Sequence, residues 1–206
     1  GLSIDGVLAE WRTAGFDVER LVYESEAGNW QGRNDLSGSF HVAWDDAYLY
    51  LAGTVFDDRH VQAESGNKLY LGDEVEIQVD ADLDGDFSHE SLSDDDGQAG
   101  FSPGDLEGGG AEAYIWRPPQ YEQPGTMVEI AAEPLVGSGG GYRIEVAVPW
   151  WVLGGRPAPG EHIGFCLSLS DNDGQAAAQE TLVSTCPRRK WGDPTTWGTL
   201  VLIDER

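Results

Sequence analysis

The chain has 206 residues, with 37 acidic against 12 basic side chains, a formal charge of −25 and an isoelectric point near 4.1. That charge argues against nucleic acid and anionic membranes as partners, since both are polyanions, and leaves neutral ligands and cations. An apolar fraction of 40% with eight Trp, seven Tyr and six Phe excludes disorder, and no apolar run reaches the ~20 residues of a membrane span.

The length suits one large domain, residues 1–206, with a substantial core. The opening Gly1 to Gly6 lacks the basic and apolar regions of a signal peptide, as expected of a processed or trimmed start. Ser3 to Gly6 reads as a short edge strand, followed by a turn and an apolar anchor at Val7 to Trp11. Glu10 to Tyr23 has helical spacing interrupted by Gly15, and Gly28 to Gly38 reads as loop. Phe40 to Trp44 and Tyr48 to Phe56 bracket Asp45-Asp46 as a hairpin. Alternation predicts a strand over Glu74 to Val79.

Further short β-like runs cover Gln98 to Phe101, Glu112 to Trp116, Met127 to Ala132, Tyr142 to Val148, Ile163 to Ser170, Thr181 to Cys186 and Trp197 to Ile203. Gly and Pro punctuate them. About ten short strands with few helical patterns predict an all-β, antiparallel, jelly-roll-like sandwich. The two cysteines, Cys166 and Cys186, fall in neighbouring strand-like runs, which suits either a disulfide of an exported protein or two reduced core thiols.

The loudest stretch follows Val79. Ten acids lie between Asp80 and Glu107 with no Lys or Arg among them, so their repulsion calls for a cation. Calcium takes six to eight oxygen ligands, and the candidates are Asp80, Asp82, Asp84 and Asp86 on alternating positions, with Asp94, Asp95 and Asp96 closing the shell from across the loop. Asp80, Asp82, Asp84 and Gly85 match the opening of an EF-hand loop, but the bidentate acid would fall at Ser91, and a strand enters instead of a helix. The expectation is a calcium loop of another architecture. Asp171 to Gly174 reads as a hairpin turn or a second metal site, and Asp57-Asp58 as ligands or a strand end.

Several stretches in order resemble the family 9 carbohydrate-binding modules and their wider relatives. They are Ile4 to Trp11, Trp44 to Tyr50 with Asp57-Asp58, Gly72 to Asp80, Val146 to Trp150, Ile163 to Phe165, Ser170 to Asp173 and Trp191 to Leu200, which together cover nearly the whole chain. The resemblance implies a calcium-containing β-sandwich that binds an oligo- or polysaccharide, usually as an accessory module of a secreted glycoside hydrolase beside other domains of a larger polypeptide, and hence an extracellular or cell-surface setting. It also implies two aromatic rings around a terminal sugar. Those positions hold Tyr70 and Trp191, with Glu76 as the motif glutamate.

The residues agree with this in part. If Val75, Ile77 and Val79 face the core, Glu74, Glu76 and Gln78 share the other face and can accept sugar hydroxyls. Flat aromatics with carboxylates or amides suit a pyranose. Tyr70 is a smaller platform than Trp. Arg189, within Arg188-Arg189-Lys190, either pairs with an acidic sugar, polarises hydroxyls or offsets the protein's own carboxylates. Trp11, Trp44, Trp150 and Trp197 read as structural, while Trp30 and Trp116 are candidates for lining a groove.

The histidines at 41, 60, 89 and 162 show no ligand spacing, and no catalytic motif is present. A non-catalytic sugar-binding module is the leading reading. The alternatives are a calcium-stabilised interaction domain that binds no sugar, and a b-type haem carrier, for which Met127 has no telling partner.

Overall fold

The computed structural model describes residues 2–26, 28, 30–107, 110–137, 140–155, 158–174 and 176–203. Thirteen strands run in chain order: β1 Phe16–Val18, β2 Arg20–Glu24, β3 Leu36–Trp44, β4 Tyr48–Asp57, β5 Glu74–Asp80, β6 Asp96–Ser102, β7 Glu112–Arg117, β8 Gln123–Pro124, β9 Glu129–Pro134, β10 Tyr142–Pro149, β11 His162–Asp171, β12 Thr181–Ser184 and β13 Gly198–Val201. One sheet has the order β1-β3-β4-β10-β9, and the other β2-β12-β11-β5-β6-β7-β8, with β13 also pairing β11. All pairings are antiparallel. This is the expected β-sandwich.

The alternation seen in the sequence builds the core. Val75, Ile77 and Val79 of β5 meet Phe40, Leu51 and Val55 of the smaller sheet in one apolar cluster, together with Phe101, Ile115, Ile144 and Leu167. The Asp45-Asp46 hairpin forms as predicted, with Trp44 opposite Leu49. Trp150 donates from Nε1 to Asp45 O at 2.9 Å, which ties the turn after β10 to that hairpin.

The N-terminal stretch departs from expectation. Ser3 to Gly6 forms no strand, and Glu10 to Tyr23 is not helical beyond a single 3-10 turn at Leu8–Glu10. Instead β1 joins the smaller sheet through β3, and β2 joins the larger one through β12, so the chain changes sheet at Glu19. Edge pairing along Phe16 to Tyr23 outweighs a weak helical period that Gly15 had already broken.

What holds residues 5–11 is a buried acid. Glu145 of β10 is fully buried and accepts from Asp5 N at 2.9 Å, Gly6 N at 2.6 Å and Trp11 Nε1 at 2.6 Å. Gly6 has φ +82°, and a Cβ there would lie 2.8 Å from Glu133 Cγ, so the position favours glycine. Trp11→Phe removes one charge-assisted donor while keeping an aromatic, though smaller, ring; it should cost at least about 1–3 kcal/mol in denaturant unfolding, because a buried carboxylate loses a partner.

Candidate functional site

The outer face of the larger sheet carries Glu74, Glu76 and Gln78, as the alternation predicts, but that face is covered: all three are buried. Three pieces of chain cover it. The 3-10 helix Gly66–Leu71 sinks Leu69 into the interior and leaves Tyr70 38% exposed. Ser170 Oγ donates to Tyr70 O at 3.0 Å and Asn172 Nδ2 to Leu71 O at 3.0 Å, which pins that helix to the end of β11.

The second piece is Trp116. The β6–β7 register steps from Gln98 opposite Arg117 to Ala99 opposite Ile115, so Trp116 is the extra residue of a β-bulge. Bulges re-aim side chains, and this one lays the indole over Gly100, where a Cβ would collide with both the ring and Glu74 Oε2. Trp116 stands edge-on to Tyr70 with centroids 6.4 Å apart and donates from Nε1 to Asn67 O at 3.2 Å.

The third piece is the loop after β12, which carries Arg189 and Trp191. Arg189 N donates to Cys186 O and Lys190 N to Thr196 Oγ1, both at 3.0 Å. Gly192 with φ +78° turns the chain after Trp191, whose side chain is 71% exposed.

Tyr70, Trp116 and Trp191 line one cavity of about 670 Å³ with Glu76, Gln98, Arg117, Gln179 and Arg189. Polar groups in it are already organised. Arg189 forms a buried ion pair with Glu76 through its terminal nitrogen and donates from Nε to Gln78 Oε1 at 2.9 Å, while Gln98 Nε2 donates to Glu76 Oε2 at 3.0 Å. Of the sequence-predicted set, Tyr70, Glu76, Arg189 and Trp191 line this cavity, and Gln78 stands behind Arg189. Gln98 was not foreseen as a site residue; its signal was its place in β6, directly opposite Gln78. Arg117 lines the cavity with an Nε that finds no protein acceptor.

Beneath Trp116 lies Glu74, fully buried, with neither carboxylate oxygen hydrogen-bonded. Burial, and then the neighbouring Glu76, push its pKa well above the ordinary 4.5, against the pull of Arg189. A raised folded-state pKa gives stability that is complete below the unfolded value and is lost as pH rises from there through the folded value. Glu74→Gln, which has no proton to lose, should therefore be more stable relative to the parent near neutral pH than at acid pH. Thermal melts across pH check this: the gain should vanish below the ordinary Glu pKa.

The acidic residues gather in two places. In the β5–β6 loop, Asp80 stands opposite Asp96 in the strand register, a like-charge pair. Oxygens of Asp80, Asp86 and Asp95 lie within 4.8 Å of one another. Asp96 Oδ1 is buried with no partner. Burial, then Asp96 and other acids, raise Asp80 to about 7; burial raises Asp96 to about 6.

The loop contains a helical turn, α1, Leu83–Asp86. The turn rotates Asp84 to the side nearly opposite Asp86, so Asp84 is exposed and outside this group; Asp82, at the start of the turn, and Asp94 are likewise exposed and outside it. Asp82 instead uses its backbone, donating to Asp80 Oδ1 at 3.2 Å and Asp95 Oδ2 at 3.0 Å.

The second gathering joins the ends of β4 and β11. Oxygens of Asp57, Asp171 and Asp173 lie within 4.8 Å, and Asp173 groups in the same way with Asp35 and Asp58. Asp57 Oδ2 and Asp173 Oδ1 are buried without hydrogen-bond partners, and His60 Nδ1 lies 3.9 Å from Asp57 Oδ2. Burial and then Asp73 raise Asp171 to about 9, and burial with Asp58 raises Asp173 to about 6. Asn172 makes the turn, accepting from Gly174 N at 2.8 Å, and thereby sets the acids on either side into the group.

His60 enters here too. Its Nε2 lies 2.7 Å from Gly104 O, which accepts only, so that nitrogen carries a proton; its Nδ1 lies 3.0 Å from Asp73 Oδ2, and although burial lowers the ring's pKa, Asp73 and Gly104 O outweigh it and raise it above the ordinary 6.5. Its linear neighbours gave no hint of that.

A model of "carbohydrate family 9 binding domain-like" proteins matches residues 4–205. The chain is 28% identical over 175 residues to an endo-1,4-beta-xylanase A of Thermoanaerobacterium saccharolyticum, covering 83% of this chain and 13% of that protein. It is also 28% identical over 175 residues to the exoglucanase XynX of Acetivibrio thermocellus, covering 83% of this chain and 14% of that protein. The chain thus spans about one seventh of the length of these relatives. Among solved structures, a family 9 carbohydrate-binding module of Caldicellulosiruptor kristjanssonii with cellotriose superposes with a TM-score of 0.73 at 19% identity, over 100% of this chain and 91% of that one. The same module with glucose gives a TM-score of 0.73 at 19% identity, over 100% and 93%. The ordered motifs, the two-sheet sandwich and the match across residues 4–205 place the chain in the carbohydrate family 9 binding-domain-like family.

Proposed function

We propose that this chain is a non-catalytic module that binds a neutral β-linked sugar chain in the cavity walled by Tyr70, Trp116 and Trp191. The observation that carries this reading is the convergence of three aromatic rings with the Glu76–Arg189–Gln98 array on one cavity of about 670 Å³. A pyranose offers apolar C–H faces to rings and a rim of hydroxyls to carboxylate, amide and guanidinium groups. The Arg189 charge is already matched by Glu76 and Lys190 lies 3.5 Å from Asp193, which favours uncharged sugars over uronic acids. The cellotriose- and glucose-bound relative points the same way. Calorimetry across cello-, xylo- and uronic-acid-bearing oligosaccharides tests this. Salt-insensitive binding to the neutral series is the expected result, and no binding to any class would refute it.

Its relatives are parts of long xylanase and exoglucanase chains, which favours a role as an extracellular accessory module that holds a catalytic partner on polysaccharide. Calcium belongs to the same reading. The orphaned oxygens of Asp96, Asp57 and Asp173 and the raised carboxyl pKa values suit a hard dication. Asp80, Asp86, Asp95 and Asp96 would hold one ion, and Asp57, Asp171 and Asp173 another, each neutralising carboxylates that otherwise repel. Neither ion touches the sugar cavity in this reading; both fix loops. Removing calcium with EDTA should lower the melting temperature by at least several degrees, and restoring calcium should recover it. An unchanged melt would sink the calcium assignment.

A further inference from the structure

Cys166 and Cys186 are both buried free thiols. In the β11–β12 register Leu169 faces Val183 and Ser168 faces Ser184, so continuing it sets Cys166 opposite Cys186. Thr185 N donates to Leu167 O at 2.9 Å, which makes the neighbouring 166/186 position a non-hydrogen-bonded pair. Such pairs bring Cα atoms to about 4.5 Å, inside the span a disulfide bridges.

The two thiols differ in surroundings. Cys186 lines a cavity of about 320 Å³ with Phe16, Arg20, Ser184 and Gly198, whereas Cys166 does not reach it. Cys186 Sγ receives the Gly198 N–H at 3.3 Å and lies 3.6 Å from Thr185 Oγ1. Cys166 Sγ sits 3.2 Å from Ser184 Oγ, on the face of β11 that also carries Ser168 and lies beside Gln78 of β5. Hydrogen bonding, first from Cys166 and then from Thr185 and Gly198, lowers the Cys186 thiol to about 7, while burial raises that of Cys166.

We propose that Cys186 and Cys166 are a reactive thiol pair that closes into a cross-strand disulfide by exchange with a small disulfide, Cys186 reacting first. The Cys186 thiolate attacks one sulfur of the small disulfide, forming a mixed disulfide and releasing one thiolate. Cys166 loses its proton and attacks Cys186 Sγ, forming the Cys166–Cys186 bond and expelling the second thiolate. The protein loses two hydrogens and the small disulfide is reduced to two thiols.

The bond would lie at the base of the loop bearing Arg189 and Trp191, because Arg189 N donates to Cys186 O and Cys166 faces Gln78, the partner of Arg189 Nε. Closure ties that loop covalently to β11.

The test is incubation of the reduced, folded protein with glutathione disulfide, followed by intact mass spectrometry. The expected product has lost two hydrogens and melts at higher temperature than the reduced protein. Cys166→Ser should stop at a single glutathione adduct on Cys186, and Cys186→Ser should stay unmodified. The proposal is overturned if the folded wild type reacts only after denaturant is added, or if Cys166 in Cys186→Ser takes up glutathione as fast as the wild type reacts. Should a serine variant fail to fold, the native-against-denatured comparison of the wild type decides alone. The outcome does not depend on whether a sugar binds.

Discussion

Trp191→Ala is expected to weaken binding of neutral oligosaccharides by about 2 kcal/mol or more, roughly thirtyfold in Kd, with almost no change in the melting temperature. The separation follows from exposure: the indole is 71% exposed and its loop is held by backbone and Thr196 contacts that the substitution leaves intact. Its removal takes away a stacking surface and little else. Calorimetry beside a thermal melt of the same sample reads both quantities. A large loss of stability, or unchanged affinity, would show that the indole serves the fold and not the ligand.

Arg189→Met should have the opposite profile, costing both stability and binding. The guanidinium and the Glu76 carboxylate are nearly excluded from solvent, and Glu74 lies unpaired beside them. Removing the cation strands a buried charge, which typically costs about 3–5 kcal/mol. Methionine retains much of the side-chain volume, so the loss reports charge more than packing. The double variant Arg189→Met, Glu76→Gln should recover most of that stability, because neither charge is then left alone, yet it should not recover sugar binding. Denaturant unfolding of the two single variants and the double variant gives the coupling; additive losses would contradict the buried-pair account.

These two residues also mark how far the chain could be read in one dimension. Alternation in β5 identified the core side of the sheet and set Glu74, Glu76 and Gln78 on the other, because a strand's two faces are written in its period of two. It could not show that the second face is also buried. The cover comes from outside the strand: Tyr70 on the 3-10 helix just before it and, far away in sequence, Trp116 on a bulge and Arg189 after β12. Trp116 is the clearest case, since a bulge is a mismatch between two strands and neither strand carries it alone.

The acidic residues teach a related lesson. Run density drew attention to Asp80 through Asp96, and the structure gathers Asp80, Asp86 and Asp95 there, beside Asp96. Asp82 and Asp84, which alternate with Asp80 and Asp86 in the sequence, stand outside that group where the helical turn α1 takes the place of an extended loop. The gathering at Asp57, Asp171, Asp173 and Asp35 draws on widely separated segments: Asp57-Asp58 and Asp171 to Asp173 each stand out locally as acidic runs, but their convergence with Asp35, beside His60, is written in no local pattern. The N-terminal anchor on Glu145 was legible only as an apolar motif ending in Trp11; its buried acceptor lies 134 residues away.

The most direct test of the sugar cavity follows the eight tryptophan indole N–H signals by NMR while cellotriose is added to the folded protein. Trp116 and Trp191 line the cavity, whereas Trp11 and Trp150 are buried elsewhere with their N–H groups bonded to Glu145 and Asp45. The account predicts saturable shifts of the Trp116 and Trp191 signals with Trp11 and Trp150 unmoved. Saturable shifts that spare both Trp116 and Trp191 would contradict it.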